Sequence, residues 1–287
     1  MAAWLRRHRG LIPYLFLGPG GLWLLVFFVL PMLTMASVAL QEGTLGTGYR
    51  FTFNLGVFPE VLGRYDAQFL RSLVNALIVT ALTLAIGYPM AYTIAFRGGR
   101  YKNILLLLVI LPFFTSFIIR TISWKFILAD QGFVLGTLKE IGILDQGFRL
   151  LATPVAVISG ITYNYLPFVV LPLYVALEKI DYRLVEAATD LYASRAQAFL
   201  RVTLPLSMSG VFAGSLLAFI PAAGDYINAE LLGGTRETTM IGNVVQTLYL
   251  TNNDYPQASA ISLILMAGLI LGVIAYQRIL RGQELTV

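Results

Sequence analysis

Polar residues stranded inside apolar runs are where this sequence could do chemistry. Asp225 and Glu230 follow Pro221 in AFIPAAGDYINAELLGG, and Asn164 lies between Tyr163 and Tyr165 in an otherwise apolar stretch. Arg120 and Lys125 lie on either side of Ile122, with Trp124 beside the lysine. Ionisable groups at membrane depth are costly and mark pathways or relays. Asp225 and Glu230 therefore either draw a cation along a pathway or are ordinary outer-loop acids touching water or another protein. Trp124 either stacks on a cation or joins an interfacial aromatic belt. Asn164 faces either a helix partner or the pathway. Arg120 is expected to pair with an acid or to snorkel.

Several chemistries are excluded outright. The chain has no cysteine, so disulfides, thiol nucleophiles and thiolate metal sites are absent. Its one histidine, His8, stands among Arg6, Arg7 and Arg9, a solvated basic terminus rather than a ligand set. There is no GxxxxGK[ST] phosphate loop, no HExxH and no GxSxG. No metal or cofactor is expected in this chain, no enzymatic activity and no nucleic-acid partner.

The elements that position these residues follow from composition. Of 287 residues 57% are hydrophobic and 12% charged. Soluble domains carry roughly 25% charge, so the apolar surface must face lipid or itself. A spanning helix needs about 20 apolar residues, and six stretches qualify. They lie within Leu11–Leu40, Phe69–Phe96 and Asn103–Leu128, at about Leu150–Leu177, from Pro205 or Leu206 with an interruption at Pro221, and at about Gln257–Ile279. The first is too long for a signal-peptide core and is expected to remain as an anchor. The reading is an all-α polytopic membrane protein, one domain over residues 1–287.

Orientation comes from the basic residues. One side holds both termini with Arg6, Arg7, Arg9, Arg97, Arg100, Lys102, Lys179, Arg183, Arg195, Arg201, Arg278 and Arg281. The other holds only Arg50, Arg64, Arg71, Lys139, Arg149 and Arg236. The positive-inside rule puts the termini, including residues 1–10, in the cytoplasm. The opposite face is rich in acids, as the outer mouth of a cation pathway would be.

Between spans four and five lies VEAATDLYASRAQAFLRVTLP, inside a polar segment at 178–205. Asp181 to Val202 reads as a short amphipathic helix with Asp181 as N-cap. Leu184, Ala188, Leu191, Phe199 and Val202 recur at helical spacing. Leu204-Pro205 ends the pattern and opens span five. The element is either a membrane-surface helix or a docking surface. Glu186 and Asp190 repel each other at i, i+4, and Ala187-Ala188 offers a flat step for close approach.

This stretch resembles the cytoplasmic loop of the permease subunits of bacterial ABC importers. Their motif runs EAA, three residues, Gly, nine residues, Ile, one residue, Leu-Pro. Glu186, Ala187 and Ala188 match it, as do Leu204 and Pro205, with Val202 at the isoleucine. Tyr192 occupies the glycine. The resemblance implies a type I importer permease fold and an ATPase-coupling role for Glu186, Ala187, Ala188, Asp190, Tyr192, Leu204 and Pro205. A tyrosine at the glycine position implies a turn in ordinary geometry or a more continuous helix, its ring packed on a partner or the membrane side. The stretches LPFFTSFIIRTISWKFIL, AFIPAAGDYINAELLGG and MIGNVVQ look like the permeases of spermidine/putrescine-type importers, close in kind to the first of that system's two permeases. That likeness implies a polyamine as solute, with iron or a phosphonate as the alternative within the family. It further implies a second homologous permease, an ATPase homodimer holding ATP and Mg, an external binding protein, and a bacterial inner-membrane location. Trp124, Tyr163, Asn164, Asp225 and Glu230 are then the candidates along the amine's path. A secondary transporter is the rival from another class, but it predicts inverted repeats and paired midplane acids, which this sequence does not display.

Overall fold

A backbone surrounded by hydrocarbon must satisfy its own N–H and C=O groups, so apolar runs of this length become helices. The computed structural model describes the backbone of residues 12–284 and the side chains of residues 17–278. The basic terminus at 1–10, with His8, lies outside the described residues. The structure divides into two units, one comprising the chain up to Arg64 with Val245–Gly272, the other Tyr65–Val244 with the segment after Gly272.

In the larger unit, three helices form the core: α4 (Asp66–Arg97), α8 (Pro154–Glu178) and α12 (Met208–Ala223). Without a hydrophobic drive between helices in lipid, close packing over small residues holds them together. Gly210 is one such point, since a Cβ there would sit 2.6 Å from the Ala176 Cβ and 2.8 Å from the Pro172 carbonyl oxygen. On α4 the buried face carries Ser72, Thr80 and Thr83. The threonine hydroxyls donate back to the Ala76 and Val79 carbonyls at 2.7 and 2.9 Å, which pairs them within the helix.

Two of the expected spans are bent. The third consists of α5 (Lys102–Ile110), a tight 3-10 turn over Leu111–Phe114, and α6 (Phe117–Ile127). The two arms meet at 95°. Thr115 is extended there, and the Pro112 carbonyl accepts from the Thr115 hydroxyl at 2.7 Å and from Arg120 Nη1 at 3.0 Å. The stretch expected to span within Asn103–Leu128 is thus a bent pair of helices rather than one continuous helix. After α7 (Phe133–Glu140) and α8 come α9 (Arg183–Asp190), α10 (Arg195–Ala198), a π-turn over Phe199–Thr203 and α11 (Leu204–Leu206).

The fifth expected span needs two corrections. Helix does not stop at Leu204-Pro205. Pro205 has no N–H and its ring crowds the carbonyl four residues back, and the wider π-turn ahead of it takes up that misfit. The bend, 68°, comes at Ser207, between Leu206 and Met208. Nor does Pro221 interrupt the span, because α12 continues to Ala223 before breaking at Gly224. By length and composition, four helices can cross a membrane, or up to six if each bent pair counts as one span. A π-turn at Ala229–Gly233 and α13 (Ile241–Gln246) follow.

The smaller unit begins with α1 (Ile12–Leu24), a π-turn at Leu25–Val29 and α2 (Leu30–Ala39). Only 6% of the apolar window in Leu17–Ala39 is buried. A hairpin follows, β1 (Gln41–Thr44) with β2 (Gly48–Phe51), antiparallel with Gln41 opposite Phe51. The sequence reading missed it, because the strands are four residues each and carry glycine and charge. Helix α3 (Val57–Arg64) and the start of α14 (Tyr255–Glu284) complete the unit. Tyr255 packs between Tyr49 and Tyr249, at ring-centroid distances of 5.4 and 4.9 Å.

Candidate functional site: a polar helical arm and a buried polar chain

The arm is two short helices joined by a tight turn. Asp181 Oδ1 accepts from the Arg183 N–H at 3.0 Å and so steadies the entry to α9. At its far end the Leu191 N–H reaches the Ala187 carbonyl, the Tyr192 N–H the Thr189 carbonyl at 3.0 Å, and the Ala193 N–H the Ala188 carbonyl at 3.1 Å. This closes the helix as glycine-capped helices close. Tyr192 has φ +62°. The expectation of ordinary turn geometry or a continuous helix is therefore corrected. The chain keeps the left-handed turn and places a tyrosine in it, a conformation that costs about 1–2 kcal/mol for a residue with a Cβ. Ser194 then opens α10 with a reciprocal capping box: its hydroxyl accepts from the Gln197 N–H, and Gln197 Oε1 accepts from the Ser194 N–H.

The apolar stripe of this arm does not point where periodicity placed it. Val185 and Ala198 are buried, whereas Leu184 is 51%, Leu191 81% and Tyr192 98% exposed. Among the described residues nothing covers the ring of Tyr192. Glu186 and Asp190 are exposed, and neither has an ion-pair partner among the described residues. Ala188 is half-buried and Ala187 exposed.

The base of the arm is held by a stripe that sequence reasoning did not single out. Tyr88, Tyr92 and Phe96 recur every fourth residue on α4. Phe199 meets Tyr88 edge-on at 5.4 Å and Tyr92 at 6.3 Å, and Phe96 meets Tyr182 at 5.3 Å. Tyr88 also shares a 2.7 Å hydrogen bond with Ser207, at the bend. The i, i+4 spacing of these aromatics was the available signal. Leu204 is half-buried and Pro205 exposed between the arm and the bend.

The second feature lies among the core helices. The Asn164 amide donates to Asn228 Oδ1 at 3.0 Å and to the Thr121 hydroxyl at 3.2 Å, and Thr121 also reaches Asn228 Oδ1 at 3.3 Å. The Asn228 side chain donates to Asp225 Oδ2 at 2.8 Å, and its backbone N–H to Asp225 Oδ1 at 2.8 Å. The Tyr165 hydroxyl reaches Asp225 Oδ2 at 3.3 Å. All of these but Tyr165 are buried, Asp225 to 5% exposure. Asp225 is thus not a free loop acid. It caps the turn that follows α12 and ties that turn to α8 and α6. Asn164 finds helix partners, one of the two outcomes foreseen for it. Asn228 and Thr121 were missed, although Asp225 and Asn228 stand at the three-residue spacing of a side-chain cap.

The remaining candidates are dispersed. Trp124 and Tyr163 are half-buried and pack edge-on at 5.3 Å. Glu230 is exposed, with Asn243 Nδ2 3.3 Å from its Oε2. Arg120 does not snorkel, and among the described residues it pairs with no acid. It is buried, donates to the Pro112 carbonyl, and lies over the rings of Phe113 and Phe117 at 5.4 and 5.7 Å. Its charge is spent on the bend of the third span rather than on a carboxylate.

A family model described as "Binding-protein-dependent transport system inner membrane component" matches residues 83–284. The spermidine/putrescine transport system permease protein PotB of Haemophilus influenzae is 38% identical over 257 residues, covering 89% of this chain and 90% of that protein. PotB of Escherichia coli is 37% identical, covering 87% and 91%. The E. coli inner membrane ABC transporter permease protein YdcU is 31% identical, with 74% of each chain covered. Among solved structures, a bacterial ABC transporter involved in the import of the acidic polysaccharide alginate matches with TM-score 0.73 at 22% identity, over 98% of this chain and 99% of that one. The same kind of transporter in complex with alginate pentasaccharide-bound periplasmic protein matches with TM-score 0.69. At that identity the structural match speaks to the fold.

Proposed function

The chain belongs to the family of binding-protein-dependent transport system inner membrane components, and from that premise we propose that it forms half of the translocation pathway of an ATP-driven polyamine importer. It is a permease subunit, not an enzyme. The observation that carries the solute is the 37–38% identity to two spermidine/putrescine permeases over nearly the whole of both chains.

In this reading both bent pairs count as single spans, six in all, with both termini in the cytoplasm. The arm within 178–205 then lies on the cytoplasmic side. An ABC ATPase homodimer, which carries ATP and Mg, docks there on Glu186, Ala187, Ala188, Asp190 and Tyr192. Closure of the ATPase moves the arm, and Leu204 and Pro205 pass the movement to the bend at Ser207. Exposed carboxylates without ion pairs and uncovered leucines on and beside a short helix support a docking role, since they leave binding capacity that the described residues do not use. A second homologous permease completes the pathway, and an external binding protein delivers the solute.

Of the pathway candidates, Trp124, Tyr163 and Glu230 are reachable from outside the helix packing and are assigned to contact with the amine. Asn164 and Asp225 are buried and hydrogen-bonded, and are assigned to holding the broken helix ends in place. The test is uptake of labelled spermidine by the reconstituted complex. ATP-dependent, binding-protein-dependent uptake is expected, and transport of iron or a phosphonate with none of spermidine or putrescine would sink the polyamine assignment.

A further inference from the structure

Tyr192 combines three properties that fold stability alone does not explain. Its backbone is left-handed, at φ +62°, where glycine is the comfortable residue. Its side chain is 98% exposed, and the neighbouring Leu191 is 81% exposed. The surroundings are polar: Thr189, Asp190, Ser194, Arg195 and Gln197 are all exposed. A glycine here would relieve the backbone and remove an aromatic face from water. A closed turn and a capping box on the following helix fix the backbone that carries the ring.

We propose that Leu191 and Tyr192 form an anchor that inserts into an apolar recess on the partner ATPase and sets which ATPase this permease accepts. The proposal rests on the docking reading given above and adds the contact that makes it selective. Interface affinity concentrates in a few aromatic or aliphatic anchors that fill pockets and are rimmed by weaker polar contacts. An aromatic side chain has only two χ angles to fix and loses little conformational freedom on insertion, which favours it as an anchor. Glu186 and Asp190, exposed on the same short helix and free of ion pairs among the described residues, call for basic groups at the rim of that recess. An ATPase surface shaped for a turn without a side chain has no room for the ring, so the same tyrosine excludes it by steric clash. Burial in the lipid headgroup region is the competing fate of the ring.

The test measures ATPase affinity of the assembled permease pair in nanodiscs, with the thermal midpoint of the pair read separately without ATPase. Tyr192→Phe is expected to bind within about twofold of the native chain, because the ring is kept. Tyr192→Ala and Tyr192→Gly are expected to weaken binding by about thirtyfold or more, the scale of an interface anchor. Tyr192→Gly is the decisive variant, since glycine suits the left-handed turn. Its thermal midpoint is expected to equal or exceed that of the native pair, so weaker binding cannot be traced to a collapsed turn. Native-like affinity in Tyr192→Gly overturns the anchor and favours a ring that merely touches lipid. If Glu186→Ala weakens binding while Tyr192→Gly does not, the anchor falls and the docking reading stands. If the native pair does not bind an ATPase at all, both fall.

Discussion

Two acids five residues apart, Asp225 and Glu230, are both legible in the sequence as polar groups after Pro221, yet the structure gives them different work. Asp225 accepts from the Asn228 N–H and side chain and from Tyr165. Replacing a capping acid by alanine costs roughly 0.5–2 kcal/mol, and here it also strands the buried Asn228 donors, adding about 1–3 kcal/mol. Asp225→Ala is therefore expected to lower the thermal midpoint of the detergent-solubilised permease pair and to reduce uptake with it. An unchanged midpoint would remove Asp225 from the framework. Glu230 is exposed and caps nothing of this kind. Glu230→Gln is expected to leave the midpoint alone and to raise the spermidine KM severalfold, with the difference shrinking as salt rises, because an exposed charge acts through a screened field. Equal KM at low salt would detach Glu230 from the pathway. Sequence could name both residues because charge in an apolar run is conspicuous. It could not separate them, because a cap depends on which N–H groups the folded chain brings within reach.

At the scale of elements, periodicity located the arm but not its joints. Asp181 to Val202 is legible as helical from its polar and apolar spacing, and a turn at Tyr192 is one of the two expectations there, but its left-handed geometry is hidden because tyrosine gives no sign of it. The 95° bend of the third expected span was hidden for a different reason. Hydropathy is blind to direction, and the bend depends on the Pro112 carbonyl being taken by Thr115 and the buried Arg120. The arm's own prediction concerns its second helix. α10 is the first turn of a helical run that continues through the π-turn to Leu206, and its first N–H groups depend on the cap for partners. Ser194→Ala removes the capping box at a cost of about 1 kcal/mol and is expected to speed amide exchange across 194–198 while leaving α4, α8 and α12 protected. Transport should become less well coupled, with more ATP hydrolysed per spermidine moved. Slow exchange at 194–198 in the variant would show that packing of Phe199 on Tyr88 and Tyr92, not the cap, holds the arm. Pro205→Ala probes the joint. Restoring the missing N–H is expected to let the π-turn tighten into α-helix, which rotates the arm relative to α12. Stability should hold, and stimulation of the ATPase by the loaded binding protein should fall.

At the scale of the whole molecule, the class and the approximate number of crossings followed from composition, whereas the distribution of burial did not. Hydropathy ranks Leu17–Ala39 among the strongest candidate spans, yet only 6% of its window is buried, against 50% for Pro154–Glu178. Under the importer proposed above, this segment is covered either by lipid or by a second permease, and sequence hydrophobicity is the same in both cases. The two differ thermodynamically. A covering subunit stabilises this chain by mass action, about 2.7 kcal/mol when its concentration is a hundredfold above Kd, whereas lipid is present at saturating amount in every membrane preparation. The expected result is that co-expression with the second permease raises the thermal midpoint of this chain. Protease and alkylation protection of cysteines introduced one at a time along Leu17–Ala39 should then follow the partner's presence rather than the lipid composition. Protection that tracks lipid alone, with a midpoint indifferent to the partner, would place the first span at the rim of the assembly, and the affinity between the two permeases would then have to come from the larger unit.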